Sequence, residues 1–211
     1  MTMKLHHIVC SALLIVLAAA NSAAEEFVLG QHYQEVKPAV ATSTGVDKVE
    51  VVELFWYGCP HCYVFEPQLQ EWLKKKADYI EFVRVPAVFA QNWEIHARAF
   101  YAAQQLGVLD KVNDPLFDAI HKEGRKLASE AEIGQFFAEK GVSAEDFKKA
   151  YSSFDVDTKT RRAITLTREY GITGVPALVV NGKYRSGAQE AGDLATLLKL
   201  VDDLAAKEHK R

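Results

Sequence analysis

Cys59-Pro60-His61-Cys62 is the stretch of the chain whose residue types and spacing carry the most reactive chemistry. Two thiols this close support several uses. A structural zinc site needs four ligands. The sequence holds no second cysteine pair, and the spacing of His32, His96 and His121 does not mark them as the missing donors. Haem attachment requires a histidine directly after the second cysteine, and Tyr63 stands there. A purely structural disulfide would close a loop too short to remove much unfolded-state entropy. A redox-active dithiol fits best. The thiolate is the attacking species, and a thiol one helical turn away can resolve the mixed disulfide formed at the first. Cys59 is expected as the nucleophile and Cys62 as the resolving thiol, with no metal and no cofactor.

The elements around the pair are those such chemistry needs. Val49-Glu-Val-Val-Glu-Leu-Phe-Trp-Tyr57 reads as a buried strand, dense in branched and aromatic residues. Gly58-Cys59-Pro60 ends it, and Pro60 suits the first turn of a helix, where its missing N–H is harmless. The helix is expected to run through Tyr63, Leu69, Trp72 and Leu73, with a kink at Pro67. Cys59 then occupies an exposed helix start, where free amides and the positive dipole end lower its pKa. His61 can add a hydrogen bond or a positive charge to the thiolate. By the size of a charge-assisted bond, its loss would raise the Cys59 pKa by roughly one to two units. Glu53 is a carboxylate inside an otherwise apolar strand. A second strand over Tyr79–Val85 completes a βαβ unit.

Helix signals dominate from Asn92 to Asp157. Ser129 with Glu132 makes a capping box, and Ser143 with Asp146 a weaker one. A longer helix is expected over Thr158–Tyr170, stopped by Gly171. Ala177–Val180 and Lys183–Arg185 flank Asn181-Gly182, a hairpin turn. Leu194, Leu197, Leu198, Val201 and Leu204 share one face of a final helix. The outer segments make one sheet with helices on both faces, an α/β class, and the middle is a helical insertion.

The chain has 211 residues and a net charge of −3. This gives no electrostatic case for a nucleic-acid partner. Lys4, a charge-free stretch from Ile8 to Ala20 and the small residues before Glu25 read as a secretory signal peptide, with cleavage expected after Ala24. Removing residues 1–24 takes Cys10 and Lys4 with it and leaves a net charge of −4. Cys59 and Cys62 are then the cysteines that remain, in an oxidising compartment.

The stretches Glu53-Leu-Phe-Trp-Tyr-Gly-Cys-Pro-His-Cys-Tyr-Val-Phe-Glu66, Gly174-Val175-Pro176 and Val180-Asn181-Gly182-Lys183-Tyr184 together resemble the DsbA family of thioredoxin-like thiol oxidases. The likeness covers nearly the whole chain after residue 24. It implies a thioredoxin-like fold with an inserted all-helical domain. The expected division is a signal peptide over 1–24, a first thioredoxin-like part over 25–88, the insertion over 89–160, and a second thioredoxin-like part over 161–211. It also implies a monomeric enzyme of the periplasm that oxidises reduced or unfolded exported proteins and is reoxidised by an inner-membrane DsbB-type partner. Pro176 looks like the family's cis-proline facing the Cys pair. It has no N–H to cap a sulfur, and the Val175 backbone is left free for a client strand. Glu53 looks like the buried acid that relays a proton from Cys62, with Glu66 and Arg84 near it. Phe65, Phe89 and the neighbours of Pro176 are offered for a client groove. Two alternatives are a disulfide isomerase or reductase and a metal-binding chaperone. Isomerases of the superfamily place a dimerisation domain before the fold, and residues 25–48 are too few for one. Soft thiolates suit Cu(I), but residues 25–211 hold no methionine and no histidine cluster.

Overall fold

The computed structural model describes residues 26–210. The expected signal peptide, its cleavage point and Cys10 lie outside these. A five-stranded sheet runs in the order β1 (Gln34–Glu35), β5 (Tyr184–Gly187), β4 (Ala177–Val180), β2 (Val49–Phe55), β3 (Ile80–Pro86). Strand β2 (Val49–Phe55) is buried along its whole length, because helices cover both of its faces and strands flank both edges. It pairs in parallel with β3 (Ile80–Pro86) through α1 (Pro60–Leu73), the expected βαβ unit, and antiparallel with β4 (Ala177–Val180). β4 forms the hairpin with β5 (Tyr184–Gly187). One edge of the sheet is β1 (Gln34–Glu35), paired with β5, a strand too short to leave a periodic trace in the sequence.

Period-2 alternation divides the core. Val49, Val51, Ile80, Leu178 and Val180 face α1 and α8 (Leu194–His209), meeting Phe65, Leu69, Leu197 and Val201. Val52, Leu54 and Val179 face the other way, toward five helices between β3 and β4. These are α2 (Gln91–Gln105), α3 (Leu109–His121), α4 (Glu130–Glu139), α5 (Ala144–Tyr151) and α6 (Phe154–Glu169). A short α7 (Ala188–Ala191) links β5 to α8.

Several local expectations are corrected. β2 ends at Phe55 rather than Tyr57, since Trp56 starts a turn whose carbonyl accepts the Cys59 N–H at 3.0 Å. α1 runs on through Pro67 to Leu73, as expected. α6 begins four residues before Thr158, because Ser153 caps it by accepting the Val156 N–H at 3.2 Å. One helix thus runs across the boundary expected at 160. Ser129 and Ser143 cap α4 and α5 as their spacing predicts. Among the described residues no helix is long and apolar enough to cross a membrane.

Candidate active site

Cys59 is the N-cap of α1, with Pro60 following in the first helical turn. Its backbone is extended, at φ −88° and ψ 117°, as the N-cap position of a helix with unpaired first-turn amides requires. The site is less open than a helix start alone implies. Cys59 is 8% exposed and Cys62 is 0% exposed. The sequence did not show that the 174–176 loop closes over the first thiol. The Cys59 thiol donates to the Val175 carbonyl at 3.3 Å.

The two thiols are driven apart in acidity. The Cys59 pKa is lowered to about 6, first by a hydrogen bond from the Cys62 thiol, then by the Cys62 and His61 amides and lastly by the His61 charge. Partial burial opposes this shift. Cys62 is pushed well above the usual thiol value, chiefly by burial and then by the bond it donates to Cys59. One sulfur is ionised near neutrality and its neighbour holds its proton.

The turn before the pair is set by aromatic packing. Trp56 stacks on Trp93 of α2 with ring centroids 4.1 Å apart. A Cβ on Gly58 would collide with the Trp56 indole, so only glycine lets the chain pass over that ring into Cys59. The Tyr57 hydroxyl donates to Asn113 of α3 at 3.0 Å, and His121 Nε2 lies 2.8 Å from the Tyr57 carbonyl.

Beneath the pair, Glu53 and Arg84 face each other across β2 and β3, on the side covered by α1. Arg84 Nε donates to Glu53 at 2.6 Å, and Arg84 Nη2 donates to Glu66 of α1 at 2.6 Å. The resemblance placed Glu66 and Arg84 near Glu53, and the structure shows both as its neighbours, Glu66 through Arg84. A single guanidinium faces two carboxylates here. Burial pushes Glu53 up to about 7, and Arg84 only partly opposes it. The second Glu53 oxygen, Oε1, is buried with no hydrogen-bond partner, and the Glu53 charge acts on Cys62.

The remaining expected residues divide. The Val175–Pro176 peptide is cis, and both residues line a cleft with His61, Arg185 and Glu190. Contrary to expectation, the Val175 carbonyl is occupied while Cys59 is a thiol. Phe65 is fully buried in the core shared with α8, so it cannot line a groove. Phe89 is 45% exposed and lines a second cleft that shares Ile172 and Thr173 with the first. His96 and His121 are tied to backbone carbonyls, and His32 Nδ1 accepts the Val28 N–H. Sequence reasoning passed over Arg185, which only its hairpin register brings to the cleft.

A strand-to-helix dithiol with this split in acidity, on a sheet of this topology, defines a thioredoxin-like thiol:disulfide oxidoreductase. The DSBA-like thioredoxin domain family matches residues 83–199. The thiol:disulfide interchange protein DsbA of Pseudomonas aeruginosa is 44% identical over 185 residues, covering 88% of this chain and 87% of that one. Its Azotobacter vinelandii counterpart is 44% identical over 180 residues, covering 85% and 84%. The crystal structure of Pseudomonas aeruginosa DsbA superposes with a TM-score of 0.83 at 43% identity, covering 87% of this chain and 95% of that one. That of oxidoreductase DsbA from Xylella fastidiosa gives 0.81 at 32% identity, covering 87% and 98%. The chain belongs to the DsbA family of thiol:disulfide oxidoreductases.

Proposed function

We propose that the protein is a monomeric dithiol oxidase of the periplasm that passes a Cys59–Cys62 disulfide to reduced, newly exported proteins. The observation that carries this reading is the split between the two thiols, with Cys59 near 6 and Cys62 far above it. A stabilised thiolate favours the reduced enzyme, so the disulfide form is a strong oxidant.

A client thiolate attacks the Cys59 sulfur, the Cys59–Cys62 bond breaks, and Cys62 leaves with the electron pair. Cys62 then needs a proton. Glu53, half-protonated near pH 7 and with Oε1 unengaged, is the group that supplies it. A second client thiolate attacks the client sulfur of the mixed disulfide and releases Cys59 as thiolate. The client loses two electrons and the enzyme gains them, with no cofactor. In the disulfide form Cys59 has no proton to donate, so the Val175 carbonyl that the thiol otherwise holds is free for a client strand. Pro176, lacking an N–H, leaves the sulfur uncapped. A DsbB-type membrane partner restores the disulfide. Residues 25–88 and 161–211 form the thioredoxin-like part in this reading and 89–160 the helical insertion, with α6 continuous across their junction.

Equilibration with a glutathione redox buffer tests the proposal. The expected result is a Cys59–Cys62 pair more oxidising than glutathione. A pair more reducing than glutathione would instead identify a reductase.

A further inference from the structure

Among the described residues, Arg84, Arg98, Arg125, Arg161 and Arg162 each hold a carboxylate. Arg168 and Arg185 hold none, and no hydrogen bond ties either side chain. Both flank the same turn, 171–173, which leads into Pro176. Arg168 is exposed at the end of α6, where a helix C-terminus favours a cation. Arg185 has no such reason to be there. It sits in the middle of a hairpin strand, opposite Val179, and shares that residue's face of the sheet. It is half-buried, and a Cβ on Gly171 would lie 3.5 Å from its Nε. The cleft it lines runs to Val175 and His61, and the Val175 carbonyl is 3.3 Å from the reactive sulfur. The acid in the same cleft, Glu190, is engaged at the start of α7, where its Oε2 accepts the Gly187 N–H at 3.1 Å. An incoming chain therefore meets an unpaired guanidinium and, beside it, a carboxylate with one oxygen already accepting a backbone N–H.

We infer that Arg185 is a specificity-determining residue that selects client segments carrying an aspartate or glutamate beside the cysteine being oxidised. The inference rests on the oxidase reading and names what that site prefers. A guanidinium offers five donors in a planar fork suited to a carboxylate. Charge complementarity of this kind acts mainly through partner choice and encounter rate. Arg168 adds positive potential on the other side of the turn.

The test uses reduced two-cysteine peptides that differ only in a Glu, Gln or Lys next to the cysteine that attacks Cys59, with kcat/KM measured for their oxidation by the disulfide form of the whole protein. The Glu peptide is expected to be preferred over the Lys peptide by about fivefold at low salt, the scale of one solvent-accessible ion pair. Added salt should shrink the ratio. Arg185→Gln should bring it close to one, Arg185→Lys should restore part of it, and Arg185→Glu should reverse it. A purely structural arginine would slow all three peptides alike and leave the ratio unchanged, which overturns the inference while the oxidase reading stands. Failure to oxidise even the Gln peptide overturns both.

Discussion

At the scale of single residues, the chemistry depends on where each thiol finds hydrogen bonds. Cys59 is reached by the Cys62 thiol and by amides of the first helical turn, and these act before the His61 charge does. His61 itself is exposed, where water screens its charge. The sequence points to His61 as the main lever on the thiolate, but the geometry gives most of that role to the helix start and to Cys62. His61→Ser is therefore expected to raise the Cys59 pKa by less than about one unit, smaller than a full charge-assisted bond implies. Alkylation of the reduced protein against pH measures this directly. In the wild type the rate should follow an ionisation near pH 6 and label Cys59 before Cys62. In the variant the midpoint should move up only slightly. Early labelling of Cys62, or a midpoint displaced by two units, would contradict this account.

At the scale of elements, the hairpin after Pro176 fixes both the cleft and the sheet's far edge. Asn181 and Gly182 take φ of 51° and 65°, the left-handed turn that Asn-Gly favours. The Gly182 carbonyl accepts the Val40 N–H at 3.0 Å, and a Cβ on Gly182 would run into the Val40 carbonyl. Gly182→Ala combines that collision with a disfavoured φ and should destabilise the fold by about 1–3 kcal/mol. A lower urea midpoint would show it, and an unchanged midpoint would mean that the 38–42 segment moves aside freely. Elements like this hairpin were legible because their signals are local: Asn-Gly, a Ser three residues before an acid, alternating apolar residues. Edge strand β1, at two residues, has no period to read. Glu66 and Arg84 were legible near Glu53 only through the family resemblance and not from spacing, because a helix and a neighbouring strand bring them there from different parts of the chain. Phe65 was misread for the same reason: its spacing gives a helix, but only packing against α8 decides which way that helix face turns.

At the scale of the whole molecule, Glu53 and Cys59 pull stability in opposite directions with pH. Glu53 has its folded pKa raised from 4.5 to about 7. The native state then binds that proton more tightly than the unfolded chain, so this contribution is full below pH 4.5 and is lost as pH rises through 7. Cys59 has its folded pKa lowered from 9.0 to about 6. The unfolded chain binds that proton more tightly, so this contribution is full above pH 9 and is lost as pH falls through 6. The Cys59 contribution exists only in the dithiol form, since a disulfide has no thiol to ionise in either state. Oxidised protein should therefore lose stability between pH 4.5 and 7, and Glu53→Gln should flatten that decline. Reduced protein should show the same decline offset by a gain from pH 6 upward. The difference in unfolding free energy, reduced minus oxidised, should grow steadily from pH 6 to pH 9, and urea denaturation of both redox forms across that range measures it. A difference that stays constant would mean that the Cys59 thiolate is no better held in the fold than in the open chain, and would remove the physical basis for its disulfide being a strong oxidant.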